Sequence, residues 1–217
     1  MRSNLTPRCK ALRTAAVIPC MNRYPVALAS VAAYLFLALL VRPALLRWKT
    51  GRWGFNGLSG TIGSAGWWGG VSFIASMLAI PVALSLNAFS TPEAFAMAGL
   101  ALMAVGFAIT LLAQSGMGAS WRIGVKETER TSLITTGLFA LVRNPIFTGM
   151  GTFGAGLVLL WPNVASFTSL GLLVLGVELQ VRFVEEPYLR AVHGEAWVSW
   201  ARRVGRFIPG MGTISGT

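Results

Sequence analysis

The sequence predicts an all-α integral membrane protein with about five transmembrane helices. The last two form a short hairpin, and a cytosolic C-terminal amphipathic helix follows. Three observations carry this reading. Of 217 residues, 54% are hydrophobic and only 12% charged, where a soluble domain needs about 25% charged residues. Five apolar stretches reach or approach the roughly 20 helical residues that span a bilayer core. All eight tryptophans (Trp48, Trp53, Trp67, Trp68, Trp121, Trp161, Trp197 and Trp200) lie at the ends of those stretches or between them, where amphipathic indoles favour the headgroup region.

In chain order, residues 1–24 form a basic arm, and residues 25–114 hold three spans at about Val26–Leu46, Trp67–Leu86 and Phe95–Ala113. Residues 115–217 comprise a loop, the apolar stretches Ile146–Trp161 and Val164–Val181, and the tail. Only Pro162 and Asn163 separate those two stretches, which therefore read as a tight helical hairpin. The first span is longer than the 7–15 residue apolar core of a signal peptide. No internal repeat is visible, and the whole reads as one domain.

The formal charge is +11, from 15 Arg, three Lys and seven Glu. These cations cluster between apolar runs, a pattern of topology and headgroup attraction. No basic stripe is interleaved with aromatics, so no nucleic-acid partner is expected. His193 is the only histidine, and Cys9 and Cys20 the only cysteines. No metal site is expected, since zinc takes three or four clustered N, S or O ligands.

Lys and Arg also give the sidedness. Arg47, Lys49, Arg52, Arg122, Lys126, Arg130 and Arg143 gather on one face with the Arg-rich tail, while the loops 87–92 and 162–163 are bare. The positive-inside rule makes the basic face cytosolic. The arm (Arg2, Arg8, Lys10, Arg13 and Arg23) disagrees, as a re-entrant or peripheral segment would, or as it would if Met21 were the start.

The stretch "LVRNPIFTGMGTFGAG" (Leu141–Gly156) puts a cation and a helix breaker at the mouth of a glycine-rich span. One reading is structural. Asn144 caps the helix, Pro145 takes its first position, and Arg143 snorkels to the headgroups. Gly149, Gly151, Gly154 and Gly156 would then admit a neighbouring helix. The other reading is a ligand site, because "VELQVRFVEEPYLRAVHGEAW" places Glu178, Arg182 and Glu185 or Glu186 on one face at the same membrane depth. Carboxylates there are expensive and have a partner or a task. An ion-pair ladder Glu178–Arg182–Glu186 is the plain alternative. Beyond Pro187, Leu189, Val192, Ala196, Trp197, Trp200 and Val204 form one apolar stripe, as in a helix lying on the membrane and roofing such a pocket. His193-Gly194 reads as a helix break.

Two blocks, "LITTGLFALVRNPIFTG" (Leu133–Gly149) and "EEPYLRAVHGEAWVSWARRVGRFIP" (Glu185–Pro209), resemble the isoprenylcysteine carboxyl methyltransferase family and, more distantly, the phospholipid N-methyltransferases. The resemblance covers about Trp121 to Pro209. It implies an S-adenosyl-L-methionine-dependent methyltransferase, multi-pass in the plasma or inner membrane, with its active site facing the cytosol. It further implies that Ser132, Leu133, Ile134, Phe139, Arg143, Asn144, Pro145, Ile146, Phe147 and Gly149 wrap the cofactor with Glu185 and Glu186. Arg182 and Glu185 are the residues it offers for positioning at the reaction. Asn144 stands where the family has histidine, and Phe139 and Phe147 where it has tyrosine. Arg182 is near, but out of register with, the arginine that holds the substrate carboxylate in eukaryotic members, so a prenylated protein C-terminus does not follow as the substrate.

The acceptor implied is a lipophilic small molecule or lipid with a carboxylate, hydroxyl or amine. Alternatives are an NADPH-dependent reductase of the sterol-reductase type, using Arg202, Arg203 and Arg206 at the 2′-phosphate, and a non-catalytic scaffold or transport subunit. Membrane lipids are the other expected partner, and the sequence leaves the oligomeric state open.

Overall fold

The computed structural model describes residues 23–51, 59–118 and 132–214. Residues 1–22 of the arm, together with Arg52, Trp53, Trp121, Arg122, Lys126 and Arg130, lie outside the described residues, while Arg23 and Tyr24 open the first helix. Helix α1 (Arg23–Leu35) passes through a π-helical turn (Phe36–Val41) into α2 (Arg42–Thr50). Then come α3 (Ala65–Ser85), α4 (Glu93–Met117), a 3-10 turn (Gly137–Ala140), α5 (Pro145–Leu160) and α6 (Val164–Gln180). A second π-helical turn (Val181–Glu185) leads into α7 (Glu186–His193), and α8 (Glu195–Arg203) follows. Among the described residues there is no strand.

Among the described residues, four helices are long and apolar enough to cross a membrane: Arg23–Trp48, Ala65–Ser85, Glu93–Met117 and Val164–His193. Pro145–Leu160 is apolar but shorter. The all-helical membrane architecture read from the sequence is therefore present, with four full-length spans and one short apolar helix beside them.

Small residues decide how the helices pair. In α3, Gly69, Ser76 and Ala83 are buried at intervals of seven, as are Gly99, Gly106 and Ala113 in α4. Seven residues are close to two helical turns, so each set lies on one face. Gly149 and Gly156 repeat the interval in α5, as do Ser169 and Gly176 in α6. A Cβ on Gly156 would sit 2.5 Å from Gly99 O, and one on Gly149 would sit 2.7 Å from Gly106 O. A Cβ on Gly106 would collide with Phe153 N and Gly149 O. Helices α4 and α5 thus lie antiparallel with their backbones in contact, the use of small residues that membranes favour.

Helices α3 and α6 make the matching pair. Gly69 faces Gly176 and Gln180. Ser76 Oγ donates to Ser169 O at 2.8 Å, and Ser169 Oγ returns the bond to Ser76 O at 3.0 Å. The expected α5–α6 hairpin is present, turned by Asn163, which makes a reciprocal capping box with Ser166. Each of its arms, however, packs more intimately on α4 or α3 than on the other arm.

Helix α1 and the π-helical turn that continues it cross these pairs through Ala27, Val31, Tyr34 and Ala38. Tyr34 stacks on Phe153 with centroids 4.1 Å apart, and its hydroxyl lies 3.1 Å from Thr110 Oγ1. An arginine pins each end. Arg23 Nη1 donates to Thr91 Oγ1 at 2.6 Å and Nη2 to Glu93 Oε2 at 3.0 Å. Arg42 Nη2 donates to Gln114 O and Gly118 O at 2.7 and 2.9 Å, satisfying carbonyls at the end of α4.

These contacts predict opposite outcomes for two glycines. Gly106→Ala should cost about 1–3 kcal/mol through overpacking. Gly151→Ala meets nothing within 4 Å and should stay within about 0.5 kcal/mol of the parent. Thermal unfolding of both variants in detergent is the check; equal melting temperatures would contradict the pairing.

Candidate functional site

The corner before α5 is built around one arginine. Its approach is the 3-10 turn Gly137–Ala140, opened by Gly137 at φ 61° and anchored by Phe139, which packs with Trp197, Trp200, Ala201 and Val204. Phe139 O accepts the Trp200 indole N–H at 3.1 Å. Leu133, Ile134 and Ile146 pack against the same cluster. The apolar stripe of α8 is therefore covered by the protein's own corner. The expectation of a helix laid on the membrane does not describe Trp197 and Trp200, which are only 3% and 5% exposed.

Arg143 does not snorkel. Its side chain is 2% exposed and works inward. Nη1 donates to Ala201 O and Val204 O at 3.0 and 2.5 Å, and Nη2 donates to Glu186 Oε1 and Gly212 O at 2.7 and 2.9 Å. Its guanidinium carbon stands 6.0 Å from the centroid of Trp197. Nor does Asn144 cap through its side chain. Its Nδ2 donates to Arg206 O at 3.2 Å, while its backbone N–H reaches the same oxygen at 3.1 Å. The corner is thus a dock for the C-terminal segment, and hydrogen-bond demand explains the change: a buried cation and a helix start both need carbonyl acceptors, which that segment supplies.

Glu186 completes the dock. Oε1 accepts from Arg143 Nη2 at 2.7 Å and from Arg206 Nε at 2.8 Å, and Oε2 accepts from Arg206 Nη2 at 2.8 Å. One carboxylate joins α5, α7 and the tail. Its hydrogen bonds, followed by its charge and that of Glu178, hold the Arg206 guanidinium above its usual pKa against the lowering effect of burial. The pair Glu178–Arg182 is present at i,i+4 but lies outside the dock, with Arg182 half exposed.

The remaining candidates divide. Pro145 is buried as the first helical residue, and Phe147 packs on the core of the spans. Gly149 is occupied by α4, with Thr110 Oγ1 2.5 Å from where its Cβ would be, so its space goes to helix packing. Ser132 is exposed, and Glu185 is half-buried beside Glu186. His193 ends α7 at Gly194 (φ 54°), the helix break read from the sequence. Among the described residues, His193 Nε2, Trp197 Nε1 and Arg143 Nε are buried without a hydrogen-bond partner. Also among them, no group of three or more His, Cys, Asp or Glu is placed to hold a metal.

An apolar cleft lies deeper in the bundle, walled by Val31, Tyr34, Met77, Ile80, Phe153 and Leu173 among others. It does not include the dock.

Residues 94–196 match the family model described as Phospholipid methyltransferase. The chain carries a phospholipid methyltransferase domain. The matched region belongs to the group of membrane methyltransferases that the two sequence blocks resemble. No curated protein matches the chain. The matched region opens with α4, includes the Arg143 corner and both glutamates, and ends within α8. Arg206, the second partner of Glu186, lies beyond it and was read from the sequence as part of a basic tail and, with Arg202 and Arg203, as a 2′-phosphate contact of the reductase alternative; nothing in the spacing of Glu186 and Arg206 signals their pairing.

The dock separates two carboxylates energetically. Glu186→Gln should cost about 3–5 kcal/mol, because it strips a buried cation of its partner. Glu178→Gln disrupts an exposed pair worth about 0–1 kcal/mol. Denaturation of the two variants in detergent checks this, and equal losses would contradict the assignment of Glu186 as the buried partner.

Proposed function

We propose that the chain is an S-adenosylmethionine-dependent methyltransferase that binds its cofactor at the corner end of the bundle and methylates a lipophilic acceptor. The observation that carries the reading is the meeting of the Arg143-Asn144-Pro145 corner with Glu186, inside a methyltransferase domain.

The residues around the dock fit the proposed group. Leu133 and Ile134 supply apolar walls in an extended segment, and among the described residues no backbone N–H of Leu133–Thr135 donates to another backbone carbonyl. Such free backbone edges suit a nucleobase, and a carboxylate such as Glu185 suits ribose hydroxyls. The buried N–H of Trp197 and the His193 imidazole offer hydrogen-bonding partners to an aminoacyl end. Arg143 and Glu186 act through geometry: they hold the tail and α7 against the corner, and so fix where Glu185 and Asn144 stand.

The bound cofactor supplies an electrophilic methyl group on a sulfonium. The protein's part is alignment, worth roughly 7–11 kcal/mol when two reactants are held well, and exclusion of water. With an anionic or neutral-amine nucleophile delivered from the bilayer, no protein base or metal is required. The basic residues gathered at the corner end support placing this end in the cytosol, in a plasma or inner membrane.

Cofactor titration in detergent tests the proposal. S-adenosylmethionine and S-adenosylhomocysteine should raise the melting temperature, by the equivalent of about 2.7 kcal/mol at a hundredfold excess over Kd, and NADPH should not. Glu185→Gln should weaken binding at least tenfold with the parent melting temperature retained. A shift with NADPH alone, or parent affinity in the Glu185→Ala, Glu186→Ala double variant, would overturn it.

A further inference from the structure

The C-terminal segment runs down toward the bilayer. Val142 and Gly205 form a parallel bridge. Arg143 N donates to Gly205 O at 2.7 Å and Asn144 N to Arg206 O at 3.1 Å, while Thr148 Oγ1, one turn inside α5, donates to Phe207 O at 2.8 Å. Residues 205–207 therefore travel beside residues 142–148 in the same direction, into the apolar bundle. Phe207 packs on the core of the spans.

The chain then turns and comes back. Met211 N donates to Ile208 O at 3.0 Å and Arg206 N to Met211 O at 2.7 Å, and Gly212 O returns to Arg143 Nη2. Gly210, at φ 75°, permits the reversal, and a Cβ on Gly205 would strike Ile208 O. The turn is well built, yet its apex is apolar and uncovered: Ile208 is 55% exposed and Met211 61%.

We propose that Ile208-Pro209-Gly210-Met211 is a membrane-seated tip whose partner is the lipid of the leaflet bordering the first turns of α5. Three features select lipid. The parallel run fixes the tip's direction and puts it at or below the level of Thr148. Two apolar side chains point outward at that depth, where acyl chains begin. Arg202 and Arg203, exposed one segment earlier, place cations where phosphates lie. Gly205, Arg206 and Gly212 also hang from the Arg143–Glu186 dock, so a seated tip ties that dock to the bilayer. The inference stands apart from the proposed cofactor, and the tip lies beyond the region matched by the family.

The test uses full-length chains carrying Cys9→Ser and Cys20→Ser, with one new cysteine at an exposed position, Met211→Cys or Ser199→Cys. Each is labelled with nitrobenzoxadiazole and placed in phosphatidylcholine nanodiscs, with or without lipid spin-labelled near the top of its acyl chain. The label at 211 should emit at shorter wavelength than the label at 199 and be quenched at least twofold more strongly. Equal quenching at the two positions, or a blue shift at 211 without quenching, would overturn the proposal; the second result would put the tip against protein.

Discussion

A guanidinium held almost wholly out of solvent needs a counter-charge and acceptors for its terminal N–H groups. Arg143 finds the charge in Glu186 and the acceptors in the carbonyls of Ala201, Val204 and Gly212. Everything at the corner end follows from that demand. The tail must run where its carbonyls can be reached, α7 must present Glu186 toward α5, and Arg206 must approach from the other side to share the carboxylate. Three elements far apart in the chain are thereby fixed to one another. Removing Glu186 leaves the Arg143 cation buried and uncompensated, whereas without Arg143 the carboxylate still keeps Arg206.

The bundle beneath supplies the frame. Glycines on α4 and α5 bring backbones into contact, and serines on α3 and α6 trade hydroxyl bonds, so each pair is set by shape and by local hydrogen bonds. With α5 pressed on α4 and α6 on α3, the corner and the glutamates stand at one end of a rigid assembly. Tyr34 and the two arginine staples at Arg23 and Arg42 lock α1 across it. The glycine-rich run that follows the corner thus serves two purposes along its length. Gly149 and Gly156 are spent on α4, while Gly151 faces open space.

Much of this was legible in the sequence because bilayer thickness imposes it. Long apolar runs, tryptophans at their ends, and the Pro162-Asn163 turn each have one inexpensive interpretation in a membrane. The helix break at His193-Gly194 was legible too, since glycine there readily takes positive φ. What the sequence concealed depends on partners distant in the chain. Asn144 looked like a helix cap by residue type, but its side chain goes to Arg206 O, an acceptor 62 residues away. Arg143 looked free to reach headgroups until the tail was seen to surround it. The stripe of α8 announced an amphipathic helix without saying whether membrane or protein covers it; Phe139 and Leu133 do. The two π-helical turns leave no compositional mark at all.

In the proposed function, a water-soluble cofactor and a membrane-borne acceptor meet at the corner end of the molecule, which lies within the region matched by the methyltransferase family. The central claim is that the cofactor sits against the corner and α7. Ultraviolet photolabelling of the detergent-solubilised chain with methyl-tritiated S-adenosylmethionine, followed by peptide mapping, tests it most directly. The account predicts label within residues 132–147 or 185–197, abolished by excess S-adenosylhomocysteine. Competable label confined to α1, α3 or the hairpin end at residues 160–166 would contradict it.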